Sequence, residues 1–166
     1  VVEAYASRGP VSLRAGRASA QIGYNRRLPD EDGFVHMGVN ENGAVVPWVN
    51  VLQICAEDDS TRAVLFEHAA HPVIVHGASS LCGTDYPGFA VQRVNAELGN
   101  NVVAIFAQGC GANINGHPLR GGWEKAETAG QKLGDAVIGA LSNTTKITAD
   151  TLSLQSTHVM LPAVLP

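Results

Sequence analysis

An α/β fold, with a mixed β-sheet flanked by helices, is what this sequence predicts, and three stretches predict it. Residues 47 to 56 (PWVNVLQICA) and 61 to 68 (TRAVLFEH) are β-rich runs on either side of the polar turn Glu57-Asp58-Asp59-Ser60, the pattern of an antiparallel hairpin. Residues 101 to 107 (NVVAIFA) form a short continuous apolar run, as expected of a fully buried strand. Residues 124 to 141 set Ala126, Ala129, Leu133, Val137 and Leu141 on one stripe, the signature of an amphipathic helix. No internal repeat, low-complexity tract or domain boundary interrupts the chain, which reads as one domain or part of a larger one.

The remaining elements follow in order. Residues 1 to 7 read as the last turns of a helix closed by Arg8-Gly9-Pro10, and residues 11 to 22 as a loosely alternating strand. Tyr24-Asn25-Arg26-Arg27 leads into Pro29-Asp30-Glu31-Asp32-Gly33, a polar stretch with turn chemistry, so Asn25 to Arg27 are placed in a loop. Residues 34 to 39 form a short strand, and Asn40-Glu41-Asn42-Gly43 a hairpin-type turn. Beyond the central hairpin, residues 86 to 98 read as a helix with Val91, Val94 and Leu98 on one face and Gly99-Asn100 as its stop. Ser142-Asn143 ends the long helix, and residues 152 to 161 make a last strand.

Composition bounds the function. The 166 residues are 45% hydrophobic and 16% charged, a balance that suits a globular core. With a net charge of −4 and no basic stripe, nucleic acid is excluded as a partner, because nothing would neutralise its phosphates. Arg8, Arg14, Arg17, Arg26 and Arg27 do concentrate near the start, either as a mixed surface or around one anionic group. Cys55, Cys82 and Cys110 make no disulfide framework and no CxxC zinc knuckle. No run of 18 apolar residues proposes a membrane span. The chain opens at Val1 without an initiator methionine and stops at Pro166 just after an expected strand, so a fragment of a longer protein is expected.

Residues 62 to 89 hold the chemistry. The apolar run from Ala63 to Phe66 drives into His68 and His71; His71 precedes Pro72, and His76 follows five residues later. A small-residue loop then reaches Asp85-Tyr86-Pro87-Gly88 at the start of a helix. A histidine after a strand can ligate a metal. Equally, a histidine before a proline can be a satisfied core or turn residue, and no HxH or HExxH spacing decides the matter. The 101 to 107 strand runs into Gln108-Gly109-Cys110-Gly111-Ala112-Asn113-Ile114-Asn115, a glycine-rich loop. Such a loop can turn successive amides toward an oxyanion, or simply connect two elements through positive φ.

Taken together, these segments resemble a known family. His71-Pro72 after a strand, Thr84-Asp85-Tyr86-Pro87-Gly88 opening a helix, and Phe106-Ala107-Gln108 with its Gly/Asn-rich loop occur in that order, with Asn25-Arg26-Arg27 upstream. The set resembles the N-terminal catalytic domain of neutral/alkaline non-lysosomal ceramidases, and more closely their bacterial relatives, over roughly residues 10 to 161. The resemblance implies that residues 1 to 166 are part of such a domain. It implies a zinc-dependent amidase acting on an N-acyl or ester bond of a lipid or other small-molecule substrate. His71 would be one metal ligand, the others lying outside this chain. Export, to the periplasm or beyond the cell, is typical of the family.

The other site residues are carried over one by one. Asn113-Ile114-Asn115-Gly116 aligns with the family's Asn-Leu-Ser-Pro, which puts Asn115 where the family has a serine proposed as nucleophile. Asparagine cannot accept an acyl group, but its amide can donate to a developing oxyanion. Asp85 matches an aspartate before the helix, to cap that helix or to orient a metal-bound histidine. Asn25, Arg26, Gly109, Gly111 and Asn113 would line the substrate site. Two readings stand: a zinc-dependent hydrolase, or an inactive domain of this fold that binds a lipid, a sugar or a partner protein.

Overall fold

The computed structural model describes residues 2–99, 101–148 and 151–162. The chain orders as α1 (Val2–Ala6), β1 (Ser12–Ser19), β2 (Gly23–Pro29), β3 (Val35–Asn40), β4 (Trp48–Cys55), β5 (Thr61–His68), α2 (Asp85–Leu98), β6 (Val103–Gln108), β7 (Ile114–Gly116), α3 (Trp123–Leu141) and β8 (Thr145–Lys146). Five strands form a mixed sheet in the order β6-β5-β4-β1-β8, and β3-β2-β7 form a second, antiparallel sheet. The β4–β5 hairpin is antiparallel and β5–β6 is parallel, so 47–56, 61–68 and 101–107 supply neighbouring strands as the sequence predicts.

The parallel pair needs a crossover, and α2 provides it. Val51, Phe66 and Phe106 lie in register across β4, β5 and β6, and with Val49 and Val64 they form the face that the helices cover. Ala90 and Val94 of α2 and Ala126, Leu133 and Val137 of α3 close the same cluster. Burying side chains of this size is worth about 1.5–3 kcal/mol each before ordering entropy, which makes this layer the main stabilising element.

Four expectations change. The β6 strand is not buried on both faces. It lies at the sheet edge, so Val103 (57% exposed) and Ile105 (48%) face the side that no helix covers. Asn25 to Arg27 sit in strand β2, not in a loop, because β2 pairs with β3 on one side and β7 on the other. The turn at Asn40 to Gly43 forms, with Gly43 N–H donating to the Asn40 carbonyl at 3.1 Å, but it passes the chain from one sheet to the other and the hairpin it would close is absent. Residues 152 to 161 form no strand: Leu152, Leu154 and Met160 are more than 90% exposed, with no neighbouring strand to pair with. The expected helix stop falls on Gly99, whose φ of 88° suits glycine; Asn100, Val1 and the end at Ala163 to Pro166 lie outside the described residues.

Candidate functional site

Because β5 and β6 are parallel neighbours ending at His68 and Gln108, the segments that follow them leave the sheet at the same edge. There they bond to each other. The His71 N–H donates to the Ile114 carbonyl and the Gly116 N–H donates to the His71 carbonyl, both at 3.0 Å, making a parallel bridge between His71 and Asn115. So the His-Pro segment and the 109–115 loop share one edge, as the sequence predicts. Glycine makes the approach possible. A Cβ on Gly111 would lie 1.5 Å from the Ala69 carbonyl oxygen, and one on Gly109 would lie 1.6 Å from Glu67 Oε1. The Gly109 N–H is taken by the His68 carbonyl at 2.9 Å. Both glycines therefore act first as packing positions.

His71 Nδ1 lies 3.0 Å from the Ile114 carbonyl. A carbonyl only accepts, so the Nδ1 proton is fixed there and the neutral ring keeps its lone pair on Nε2. Such a backbone acceptor on one nitrogen leaves the other free to bind a partner, as in histidines that ligate metals. His68 is different. Its Nδ1 makes the same kind of bond, to the Trp48 carbonyl at 3.0 Å, but it is only 2% exposed, and burial pushes its pKa down. His76 is exposed, and His117, also exposed, meets the Tyr24 ring edge-on at 4.8 Å.

Asp85 and Tyr86 open α2 from beneath this edge, 6% and 0% exposed. Asp85 takes φ 54°, a left-handed conformation that aspartate tolerates better than most residues. One carboxylate oxygen accepts the Tyr86 N–H at 2.7 Å and the other accepts the Val75 N–H at 2.6 Å. The Tyr86 hydroxyl donates to the Ala70 carbonyl, and burial with the adjacent Asp85 charge holds the phenol well above its usual pKa, so it remains a donor. The sequence reading passed over Tyr86. Its signal was the aromatic with a polar tip, buried at a helix start beside a strand end.

Arg26 and Asn115 meet across the β2–β7 pair. The Arg26 backbone N–H donates to the Asn113 carbonyl at 2.8 Å, its Nε to the Ala112 carbonyl at 3.0 Å, and its Nη1 to Asn115 Oδ1 at 3.3 Å. Arginine can only donate, so the Asn115 atom facing it is the oxygen, and Nδ2 is the donor left for other use. Asn115 itself is 9% exposed. Asn25 Nδ2 and Asn113 Nδ2 converge on one acceptor, the Ala44 carbonyl, at 2.8 and 3.0 Å. Both therefore tie the 40–47 connection to the site loop.

Beside His71 opens a cleft of about 650 Å³, walled by Pro72, Pro87, Val91, Phe106 and Gln108. Its surface is almost wholly apolar, and the polar atoms of His71 and Gln108 contribute next to nothing to it, which suits a chain of methylenes. A second depression of about 620 Å³, between Leu52, Leu65 and Ala107, lies on the uncovered sheet face away from His71, and Asn115 lines neither of these but a third, of about 80 Å³, with Tyr24, Arg26 and His117. Among the described residues no three His, Cys, Asp or Glu side chains gather to hold a metal ion, so His71 stands as a single donor. No helix of the described residues is long and apolar enough to cross a membrane.

No model of a known protein family matches the chain, and no curated protein matches it. Solved structures do. The chain is similar to a ceramidase complexed with C2, at a TM-score of 0.69 and 18% identity, over 86% of this chain and 24% of that one. It is also similar to the neutral ceramidase from Pseudomonas aeruginosa, at a TM-score of 0.66 and 19% identity, over the same shares of the two chains. The chain thus spans about a quarter of the length of these proteins and has the fold of that part of them.

Proposed function

We propose that residues 1–166 are part of a ceramidase-like N-terminal catalytic domain, and that the whole protein is a zinc-dependent hydrolase of an amide (N-acyl) or ester bond. One observation carries this reading. His71, with its Nδ1 proton committed to Ile114 and its backbone bridged to Asn115, lines an open apolar cleft in a fold shared with neutral ceramidases. His71 Nε2 is one ligand of the metal, and the other donors come from chain beyond these residues. Zinc, when bound, supplies Lewis acidity and makes water a competent nucleophile at neutral pH.

The chain's own groups do the rest. Arg26 fixes the Asn115 amide with its oxygen toward the guanidinium, which leaves Nδ2 to donate to the oxygen of the scissile carbonyl as charge develops there. Asn115 takes no acyl group. The apolar surface at Pro87, Val91 and Phe106 meets the alkyl part of a lipid substrate. Asp85 acts through the backbone of the 69–75 segment, not on substrate. Export to the periplasm or the cell exterior belongs to the same reading.

The test uses the complete parent protein. Metal analysis of the purified enzyme should find stoichiometric zinc. His71→Ala should then remove most of that zinc and nearly all hydrolysis of N-acyl and ester substrates. Asn115→Ala should lower turnover by roughly 10²–10³-fold, the loss of one oxyanion donor. Zinc and turnover that both survive His71→Ala would overturn the reading. Asparagine at the nucleophile position of the family favours a second reading, an inactive domain that binds a lipid, a sugar or a partner protein. A metal-free parent without hydrolysis of N-acyl or ester substrates would leave that reading standing.

A further inference from the structure

The peptide unit joining Ala70 to His71 is gripped at both ends. Its carbonyl accepts the Tyr86 hydroxyl, and its N–H donates to Ile114 at 3.0 Å. A peptide unit is planar, so fixing these two atoms fixes the plane from which the His71 Cα departs. Ala70 is 0% exposed, so no solvent replaces the hydroxyl if it is lost. The freed carbonyl would gain a partner only by rotating the unit, and that rotation pulls the His71 N–H off Ile114. The His71 ring hangs on the same Ile114 oxygen through Nδ1 and would turn with it. Five residues on, the Asp85 carboxylate holds the Val75 N–H at 2.6 Å and closes the far end of the segment. Neighbouring residues on one rigid helix start thus hold both ends of the stretch that carries His71.

We propose that Asp85 and Tyr86 are a positioning pair that sets His71 for metal binding through the 70–75 backbone, with the Tyr86 hydroxyl as the main hold. The proposal rests on the reading of His71 as a ligand, but it makes a separate claim about residues that touch neither metal nor substrate. The Tyr86 ring packs edge-on against Phe106 at 6.0 Å, so removing the hydroxyl leaves the ring in place.

The experiment measures the zinc dissociation constant of the complete parent protein by competition with a chelator, alongside thermal unfolding of the metal-free form. Tyr86→Phe should weaken zinc by roughly 10–100-fold, the usual loss when a ligand's supporting partner is removed. Asp85→Asn, which weakens the charged hold on Val75, should weaken zinc by a smaller factor. It also serves as the second variant should Tyr86→Phe not fold. In a His71→Ala background neither change should weaken the residual zinc binding further, because the pair acts only through that ring. Lower unfolding temperatures with zinc affinity unchanged in both variants would overturn the proposal and leave the ligand reading standing. Zinc affinity unaffected by His71→Ala would instead remove the ligand reading, and with it the proposal.

Discussion

Two neighbouring regions share one apolar core, and one of them adds directional side-chain bonds to it. Beneath α2 and α3, the five-stranded sheet is fixed by apolar contact, with Val49, Val64, Phe66, Val94 and Leu133 all at 0% exposure. One step beyond the ends of β5 and β6, the 69–75 and 109–116 segments also sink Ala70, Ile74 and Ile114 into that core, and directional polar bonds are added to them: Tyr86 to Ala70, Asp85 to Val75, Arg26 to Ala112 and Asn115. Apolar contact is non-directional and spreads its cost over many atoms, whereas a hydrogen bond fixes direction. The layer supplies stability, and the edge supplies orientation.

The sharpest way to break the comparison is a cavity in the layer. Phe66→Ala should cost about 3–5 kcal/mol in denaturant unfolding, because the ring is fully buried against Phe106 and leaves a hole. A loss under 1 kcal/mol would show that the layer does not hold the fold. A subtler probe lies where the two regions join. The pKa of His68 is lowered from the ordinary 6.5 chiefly by burial, so the unfolded chain binds the proton more readily. Its contribution is fully present above about pH 6.5 and is lost as pH falls from there through the lowered folded value. Unfolding free energies measured from pH 5 to 8 should slope downward toward acid, and His68→Gln should flatten that slope; an equal slope in both proteins would place the titration elsewhere. The smallest effect belongs to the uncovered face of β6. Ile105→Thr should stay within about 0.5 kcal/mol of the wild type, since nothing packs over that side.

The same contrast explains what the sequence could reveal. Apolar periodicity reports burial, so the β4–β5 hairpin, both main helices and the β6 strand were legible from residue pattern alone. Periodicity does not report position within a sheet, and Val102 to Phe106 looks the same as an edge strand or a central one. Nor does it separate a polar strand from a loop: Asn25-Arg26-Arg27 lacks apolar alternation, and its Asn25 and Arg26 side chains are spent on the Ala44, Ala112 and Asn115 bonds. Residues 152 to 161 carry strand-like composition without a partner, and a strand exists only when paired. At the site, His71 and Asn115 were visible as residue types in order. Their bridge, the Tyr86 hold and the Arg26 clamp depend on which way side chains turn in space, and the sequence does not record that.

The Arg26–Asn115 bond joins positions 89 residues apart, while the β4–β5 pair closes around a turn of only a few residues. Closing a longer loop costs more chain entropy, growing roughly as (3/2)RT ln n, and such contacts must wait until shorter ones have shortened the path. During refolding the hairpin can therefore form early. The edge that carries His71 closes only after α2 has crossed over and β7 has met β2. A chain caught partway would have its hairpin but neither the complete sheet, whose β1–β8 pairing spans still more residues, nor the site, and on this order of events the binding edge is a late product of folding.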